Sequence, residues 1–254
     1  IELIRSLIAD PTTHVTSGST YENIANLAPT FIKQVLGKYE GTRLGRQELH
    51  GDMLDDVEGA LWHYGLIDKT RCGWGALPDF KKTVVGVDPG PRSYSKHSET
   101  GIVVAGLSRN GHGWVIEDAS LKGTPAEWAA EVVAAYWHYG ADLIVAESND
   151  GGEMVKHTLQ TADPRVRVKL IHARQGKKLR AEPVVLLYEQ SRIHHVGTFP
   201  ELEDQMCNWV PGEADSPDRM DALVYGLSEL LIGDWKGMGN AVPVSMEREG
   251  KGGS

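Results

Sequence analysis

A run of β-branched apolar residues, from Thr83 to Val87, sets the architecture that this chain can adopt. A continuous apolar run without polar alternation is typical of a central strand that is covered on both faces. Residues 142–146 form a second run of this kind, and a helical pattern covers residues 124–139 between the two. Strands that alternate with helices in this way predict an α/β fold.

The segments around these runs predict the order of the sheet. Residues 101–107 and 113–117 read as strands, and Arg109-Asn110-Gly111 between them is a hairpin signal. Thr124 to Glu127 is a capping box that begins a helix, which Gly140 ends. The hairpin predicts antiparallel neighbours, whereas helical crossovers predict parallel ones. We therefore expect a mixed sheet with helices on both faces.

The last part of the chain adds three helices and one strand to this prediction. We expect helices at 151–161 and 179–190 and a strand at 166–172. Ser216 is the predicted N-cap of a final helix. The apolar face of that helix consists of Met220, Leu223, Val224, Leu227 and Leu231.

The charge of the chain argues both for and against a nucleic-acid partner. The formal net charge is -9 over 254 residues, whereas binding to phosphates requires Lys and Arg. A local basic concentration includes Lys177, Lys178 and Arg180, which are candidate DNA contacts or simply a solvated loop.

Cys72 and Cys207 lie far apart and are expected to be free thiols. No apolar run is long enough to predict a membrane span.

Four acidic residues lie where apolar elements end or begin. Asp88 ends the first strand and Glu147 ends the fourth, while Asp218 and Asp221 lie in the first turn of the last helix. Functional groups gather at the carboxyl ends of strands in open α/β sheets. Each acidic residue alone could be a cap or a turn residue, and on a helical wheel only Asp221 flanks the apolar face.

A cluster of carboxylates requires neutralisation, which divalent cations provide. Mg²⁺ and Mn²⁺ prefer carboxylate and water ligands. Two such ions about 4 Å apart can activate a water and stabilise the leaving oxygen of a phosphodiester. The joint pattern of the four acidic residues therefore predicts metal-assisted phosphodiester hydrolysis.

Three motifs, in this order and spacing, resemble the nuclease domain of phage large terminases. They are Val85-Gly86-Val87-Asp88-Pro89-Gly90, Ile144-Val145-Ala146-Glu147-Ser148-Asn149 and Ser216-Pro217-Asp218-Arg219-Met220-Asp221-Ala222-Leu223-Val224-Tyr225. The stretch from Lys178 to His195 is also similar, and we expect His194 and His195 at the surface. The resemblance covers roughly residues 80–232. It implies an RNase H-like fold, related to RuvC-type resolvases, with a two-metal site of Mg²⁺ or Mn²⁺. The implied ligands are Asp88, Glu147 and Asp218, with Asp221 as a fourth.

The amino-terminal region resembles the end of the terminase ATPase domain. The supporting residues are Thr16 to Asn23 and Leu44 to Leu49. No Gly-x-x-x-x-Gly-Lys-Thr/Ser phosphate loop is present, so we expect no ATP site in this chain and an ATPase domain upstream of it. We expect a small, mainly helical ATPase remnant at 1–65, a linker at 66–81, the nuclease domain at 82–235 and a disordered tail at 236–254.

The resemblance implies a packaging endonuclease that cuts concatemeric double-stranded viral DNA. Its expected partners are the portal protein and the small terminase subunit, and its expected location is the cytoplasm of the infected bacterial host. Two alternatives remain open. One is a RuvC-like junction resolvase, which would prefer branched DNA. The other is a catalytically inactive RNase H-like module that only docks to a portal and binds no metal.

Overall fold

A seven-stranded mixed sheet organises the chain in this computed structural model. The structure describes residues 10–14, 16, 18, 26–28, 57–89, 99–147, 152–171, 177–212 and 217–233. Six strands lie in the order β6-β5-β1-β2-β3-β7, and β4 pairs with β2 beside this path.

The elements are numbered here along the described part of the chain. The strands are β1 (Phe80–Pro89), β2 (Glu99–Ser108), β3 (Gly113–Asp118), β4 (Leu121–Lys122), β5 (Leu143–Glu147), β6 (Val168–Ile171) and β7 (Ile193–His195). The α-helices are α1 (Tyr64–Asp68), α2 (Pro125–His138), α3 (Gly152–Ala162), α4 (Lys177–Glu189), α5 (Pro200–Asn208) and α6 (Asp218–Leu231). A short 3-10 helix spans Trp74–Ala76.

The pairing of the strands confirms the predicted mixed sheet. β1 is antiparallel to β2 and parallel to β5, and β2 is antiparallel to β3. The hairpin between β2 and β3 turns where Asn110-Gly111 predicted it, and Gly111 has a φ of +83°, which a residue without a Cβ adopts freely. The parallel neighbours β5 and β6 are connected through α3, as a helical crossover requires.

Helices cover both faces of the sheet, and alternate residues of each strand serve the two sides. Val84 belongs to the core cluster that contains residues of α4, α5 and α6, whereas Val85 and Val87 belong to the cluster that contains residues of α2 and α3. The reason is the two-residue period of a strand, which makes a continuous apolar run bury side chains on both faces. The α/β fold class predicted from this run is confirmed.

The ends of two helices show where local sequence signals succeeded and failed. At α2 the predicted capping box is present, since Thr124 and Glu127 exchange hydrogen bonds between side chain and backbone. Gly140 follows this helix with a φ of +55°. At α6 the prediction of Ser216 as N-cap is wrong. The helix begins at Asp218, and Pro217 occupies the capping position without a side-chain hydrogen bond.

Residues before β1 pack into the sheet domain more extensively than a linker would. Trp62, Tyr64 and Ile67 are almost completely buried in the core on the α6 side. Residues 66–81 were predicted as a linker from their lack of periodicity, but they contain part of α1 and the 3-10 helix. Most of the predicted helical remnant at 1–65 and all of the predicted tail at 236–254 lie outside the described residues.

Two further predictions concern residues in the described ranges. Cys72 and Cys207 are both free thiols, as expected from their spacing. None of the helices described here combines the length and the apolar character that crossing a membrane requires.

Candidate functional site

Asp88 and Glu147 lie side by side at the carboxyl ends of two adjacent parallel strands, β1 and β5. Val87 pairs with Ala146 in the parallel register of β1 and β5, so the next residue of each strand is one of these two acids. Both side chains lie on the α6 face, because each follows by two positions a residue that packs there, Gly86 or Val145. Asp88 is only 8% exposed. The predicted meeting of these two carboxylates is thus built by the strand register.

Two glycines bring α6 against the sheet beside Asp88. A Cβ at Gly86 would lie 2.0 Å from the backbone oxygen of Ala222, and one at Gly101 would lie 2.0 Å from that of Asp218. Gly101 is also the direct antiparallel partner of Asp88. The first turns of α6 can therefore approach the end of β1 more closely than any strand with side chains at these positions would allow.

The two acids of α6 differ in burial. Asp221 is 3% exposed, whereas Asp218 is only partly buried. This agrees with the helical wheel, on which Asp221 flanks the apolar face. α6 is in fact buried on nearly all sides from Arg219 to Ser228, so its polar residues face protein rather than bulk solvent.

Glu147 is held by two side chains from different helices. The hydroxyl of Tyr225, on α6, donates to Oε2 of Glu147 at 2.5 Å. Arg180, on α4, donates from Nη1 both to Oε1 of Glu147 at 3.3 Å and to the Tyr225 hydroxyl at 3.0 Å. The guanidinium also lies over the Tyr225 ring, 5.4 Å from its centroid. Both oxygens of Glu147 therefore have fixed partners.

These groups share one electrostatic environment. Burial raises the pKa of Tyr225 well above its ordinary value, and the carboxylates of Asp88, Asp221 and Glu147 raise it further. Burial alone would lower the pKa of Arg180, but Tyr225, Glu147 and Asp221 outweigh this effect and raise it. Three of the four predicted acids thus act on the same buried tyrosine.

Arg219 fixes the first turn of α6 from the opposite side. Its guanidinium forms ion pairs with Asp118 at 2.7 Å and Glu99 at 3.0 Å, and its backbone N–H donates to Gln205 at 3.0 Å. Asp118 also accepts hydrogen bonds from Ser120 in a turn. These contacts tie the turn that carries Asp218 and Asp221 to β2 and β3.

The candidate DNA contacts are in different surroundings. Lys178 is exposed and lies 3.8 Å from Glu182 in an i,i+4 pair. The side chain of Lys177 lies outside the described residues. Arg180 has only 4% of its side chain exposed, so it is an internal partner of Glu147 rather than part of a solvated basic surface.

His194 and His195 were expected at the surface, and this prediction is wrong for His195. This residue is fully buried, and its Nε2 lies 2.7 Å from the Tyr188 hydroxyl. Its Nδ1 lies 2.9 Å from Glu203, which Arg71 also contacts. We call these four residues the Glu203 network. His194 is half-buried and stacks on Trp114. The preceding strand residue, Ile193, is buried, so β7 is packed on both sides.

Burial of His195 determines which atoms of this network donate and which accept hydrogen bonds. Burial lowers the pKa of His195, so the ring is neutral near neutral pH. Its Nδ1–H can then donate to Glu203, and Nε2 can accept from Tyr188. Burial opposes the charged form of Glu203, but hydrogen bonds from His195 and Arg71 outweigh it and lower the pKa of Glu203 to about 2.

We call the site formed by Asp88, Glu147 and Asp221 the carboxylate edge. Its chemistry fits a hard divalent cation. Its donors are carboxylate oxygens, the ligands that Mg²⁺ and Mn²⁺ prefer. Arg180 forms an ion pair with Glu147 and also interacts electrostatically with Asp221. Within the described ranges, however, no three His, Cys, Asp or Glu side chains are grouped closely enough to hold a metal ion.

Sequence reasoning missed the roles of Tyr225 and Arg180. Tyr225 stands four residues after Asp221, so helical periodicity places the two on one face of α6. That spacing could have identified it as a partner of the site. Arg180 carried no such signal, because its neighbours Lys177 and Lys178 made it appear to belong to a basic surface.

Comparisons with known proteins agree with this architecture. The family model described as the terminase RNaseH-like domain matches residues 85–230. A sequence comparison with curated proteins finds no match.

Three solved structures illustrate the shared fold. The large terminase of a thermophilic bacteriophage in complex with ADP has a TM-score of 0.55 at 14% identity, over 84% of this chain and 54% of that one. The large terminase nuclease of thermophilic phage G20c with bound cobalt has a TM-score of 0.52 at 13% identity, and that with bound magnesium 0.50 at 13%. Both of these cover 68% of this chain and 98% of that one.

The family match spans more than half of the 254 residues. It begins within β1, just before Asp88, and ends near the last residue of α6. It therefore contains the whole carboxylate edge and the helix that completes it. The chain belongs to the terminase RNase H-like domain family.

Proposed function

We propose that this chain is a divalent-metal-dependent endonuclease that cuts concatemeric double-stranded viral DNA during genome packaging. The observation that carries this proposal is the gathering of acidic residues where β1, β5 and α6 meet. Asp88 and Asp221 are almost fully buried, and Glu147 adjoins Asp88 in the strand register. Carboxylate oxygens gathered in one place are the ligands that Mg²⁺ and Mn²⁺ prefer.

In this proposal Asp88, Glu147, Asp218 and Asp221 are the residues that hold two Mg²⁺ or Mn²⁺ ions. The ions would supply an activated water and stabilise the leaving oxygen of the phosphodiester. The protein's own contribution is placement. Gly86 and Gly101 let α6 bring its acids to the strand ends, while Tyr225 and Arg180 fix the orientation of Glu147. The large terminase nuclease of phage G20c shares this fold and has been crystallised with bound magnesium, which supports a divalent cation in this proposal.

The wider context of the reaction is part of the same proposal. Lys177 and Lys178 are the proposed phosphate contacts, beside the site residue Arg180 on α4. The portal protein and small terminase subunit are the proposed partners, in the cytoplasm of an infected bacterium. This chain spans about half the length of the ADP-bound large terminase. We propose that ATP hydrolysis belongs to a longer chain, since no phosphate-loop motif is present here.

Cleavage of supercoiled plasmid tests the proposal. The chain should nick and linearise the plasmid in Mg²⁺ or Mn²⁺ and leave it intact in EDTA. Asp88→Asn should slow cleavage at least about a hundredfold, because metal ions contribute several kcal/mol to such transition states. The substitution preserves the shape of the side chain and removes its charge.

Two controls separate the alternatives. Glu153→Gln removes a charge from an exposed position of α3 and should leave the cleavage rate unchanged. A four-way junction offered beside linear duplex tests the resolvase alternative, which requires selective cutting of the junction. If no metal supports cleavage and no metal binds, the docking module replaces the nuclease.

A further inference from the structure

Arg180 is buried among acids and has an incomplete set of partners. Its side chain is 4% exposed, and one of its terminal nitrogens serves both Glu147 and Tyr225. Its Nε is buried and has no hydrogen-bond partner among the described residues. A buried guanidinium with an unused donor is costly in a protein that uses it only for packing. A further role would account for an arginine at such a position.

The charges around Arg180 suggest what that role is. Glu147 and Asp221 both act electrostatically on Arg180, and carboxylates gathered at one buried site repel one another. Arg180 supplies a permanent positive charge beside Glu147, 3.3 Å from Oε1. The guanidinium remains charged under all ordinary conditions. It can therefore stabilise the cluster before any metal ion arrives.

The same charge must also affect a metal ion that arrives later. A divalent cation bound by Glu147 would lie close to the guanidinium and would be repelled by it. It would also compete with Arg180 for Oε1 of Glu147. Consequently Arg180 should stabilise the metal-free site and weaken metal binding to it.

We propose that Arg180 is a built-in counter-charge that holds the carboxylate site together without metal and sets the affinity of that site for divalent cations. This inference rests on the proposed function, since it concerns the same site. Arg180 acts here as a positioning residue. It orients Glu147 directly and through Tyr225, and its burial keeps it from serving as an exposed phosphate contact.

The test compares Arg180→Gln with the wild type in EDTA and in saturating Mn²⁺. We expect the variant to melt several degrees lower than the wild type in EDTA, and most of this deficit to disappear in Mn²⁺. Isothermal titration should show Mn²⁺ binding about tenfold more tightly to the variant, because a nearby positive charge has been removed. Arg180→Lys keeps the charge and should bind Mn²⁺ with nearly wild-type affinity.

A second variant keeps the test decisive if Arg180→Gln does not fold without metal. Glu147→Gln combined with Arg180→Gln removes one negative and one positive charge, so the double variant should melt in EDTA near the wild-type temperature. A double variant no more stable than Arg180→Gln would overturn the inference. So would equal melting deficits in EDTA and Mn²⁺ with unchanged Mn²⁺ affinity, which would indicate a purely structural arginine.

The outcomes also distinguish this inference from the proposed function. If the wild type binds no Mn²⁺ or Mg²⁺ at all, the metal-dependent nuclease fails. If the wild type binds Mn²⁺, Asp88→Asn loses that binding, and Arg180→Gln changes neither affinity nor metal-dependent melting, only the counter-charge is wrong.

Discussion

Two buried clusters of this molecule combine an arginine, a tyrosine and acidic residues, yet they differ in how completely their polar atoms are paired. In the Glu203 network, Arg71 contacts both oxygens of Glu203 as well as Asp68, and His195 completes the set as a neutral ring. At the carboxylate edge, Arg180 faces Glu147 and is coupled to further acids.

The difference shows which cluster can bind something else. Every oxygen and nitrogen of the Glu203–His195 pair has a protein partner, so this network stabilises the packing of α1, β7 and α5. At the carboxylate edge, Nε of Arg180 has no hydrogen-bond partner among the described residues. A buried network whose polar atoms all have partners indicates structure, whereas one with an unused donor among several acids is a candidate binding site.

Breaking the Glu203 network should have the largest effect on stability. Glu203→Gln leaves Arg71 buried beside a neutral amide, and loss of one partner of a buried pair costs about 3–5 kcal/mol. Urea denaturation should show this loss for Glu203→Gln and no comparable change for the exposed control Glu153→Gln. Plasmid cleavage by the folded fraction should be retained. A loss of cleavage at constant stability would contradict the separation of the two clusters.

Acid should reveal the same network through its protonation. The pKa of Glu203 is lowered to about 2, from an ordinary 4.5, so its contribution is complete above pH 4.5 and disappears as the pH falls toward 2. The pKa of His195 is also lowered, so its contribution begins to decrease below pH 6.5. We expect Glu203 to contribute about 3 kcal/mol to this acid loss. A Glu203→Gln variant with the wild-type pH profile of unfolding would contradict the assignment.

Displacing α6 should disturb the carboxylate edge while sparing the Glu203 network. In Gly86→Ala the new methyl group would meet the backbone of Ala222 at 2.0 Å, so the helix must shift, at a cost of about 1–3 kcal/mol. Cleavage should fall by more than stability, because Asp221 moves relative to Asp88. The measurements are urea denaturation and the cleavage rate.

Gly226→Ala is the matched control on the same helix. Its methyl group would meet Ala105 and Val84 at an ordinary 3.7 Å. Alanine favours a helix over glycine by up to about 1 kcal/mol, so this variant should be neutral or slightly stabilised. Equal loss of cleavage in both variants would show that the close approach at Gly86 does not position the site.

The smallest effect is expected at the exposed end of α4. Lys178→Ala removes an exposed charge that pairs weakly with Glu182, so stability should change by less than about 0.5 kcal/mol. If Lys178 contacts a phosphate, DNA affinity should fall and its salt dependence should decrease by about one charge. Lys81→Ala, at the opposite end of β1 from Asp88, is the control. Equal DNA affinity in both variants would remove Lys178 from the interface.

Much of the fold was predictable because long apolar runs and capping signals are local. The strand that ends at Asp88 and the capping box at Thr124 were both read from neighbouring residues. β7 and α5 were not predicted, because three residues are too few to show a period and Pro200 gave no polar cap. The burial of His195 depends on Glu203 and Arg71, which are brought to it only by the tertiary structure.

The site was predictable only in part. The strand ends gave Asp88 and Glu147, and helical spacing favoured Asp221 over Asp218. The internal position of Arg180 could not be read from the sequence, since a charged residue beside two lysines is usually solvated. Its contact with Glu147 joins residues 33 positions apart. Local sequence patterns therefore could not predict this ion pair, because its two residues are brought together only by the tertiary structure.

Anomalous X-ray scattering from crystals soaked in Mn²⁺ would show directly where the cation binds. We expect Mn²⁺ where the carboxyl ends of β1 and β5 meet α6, with Asp88 as a ligand and Glu147 or Asp221 beside it. Asp88→Asn crystals should lose this signal. Ordered Mn²⁺ elsewhere, or none at Asp88 under saturating Mn²⁺, would contradict a metal-dependent nuclease site at these residues.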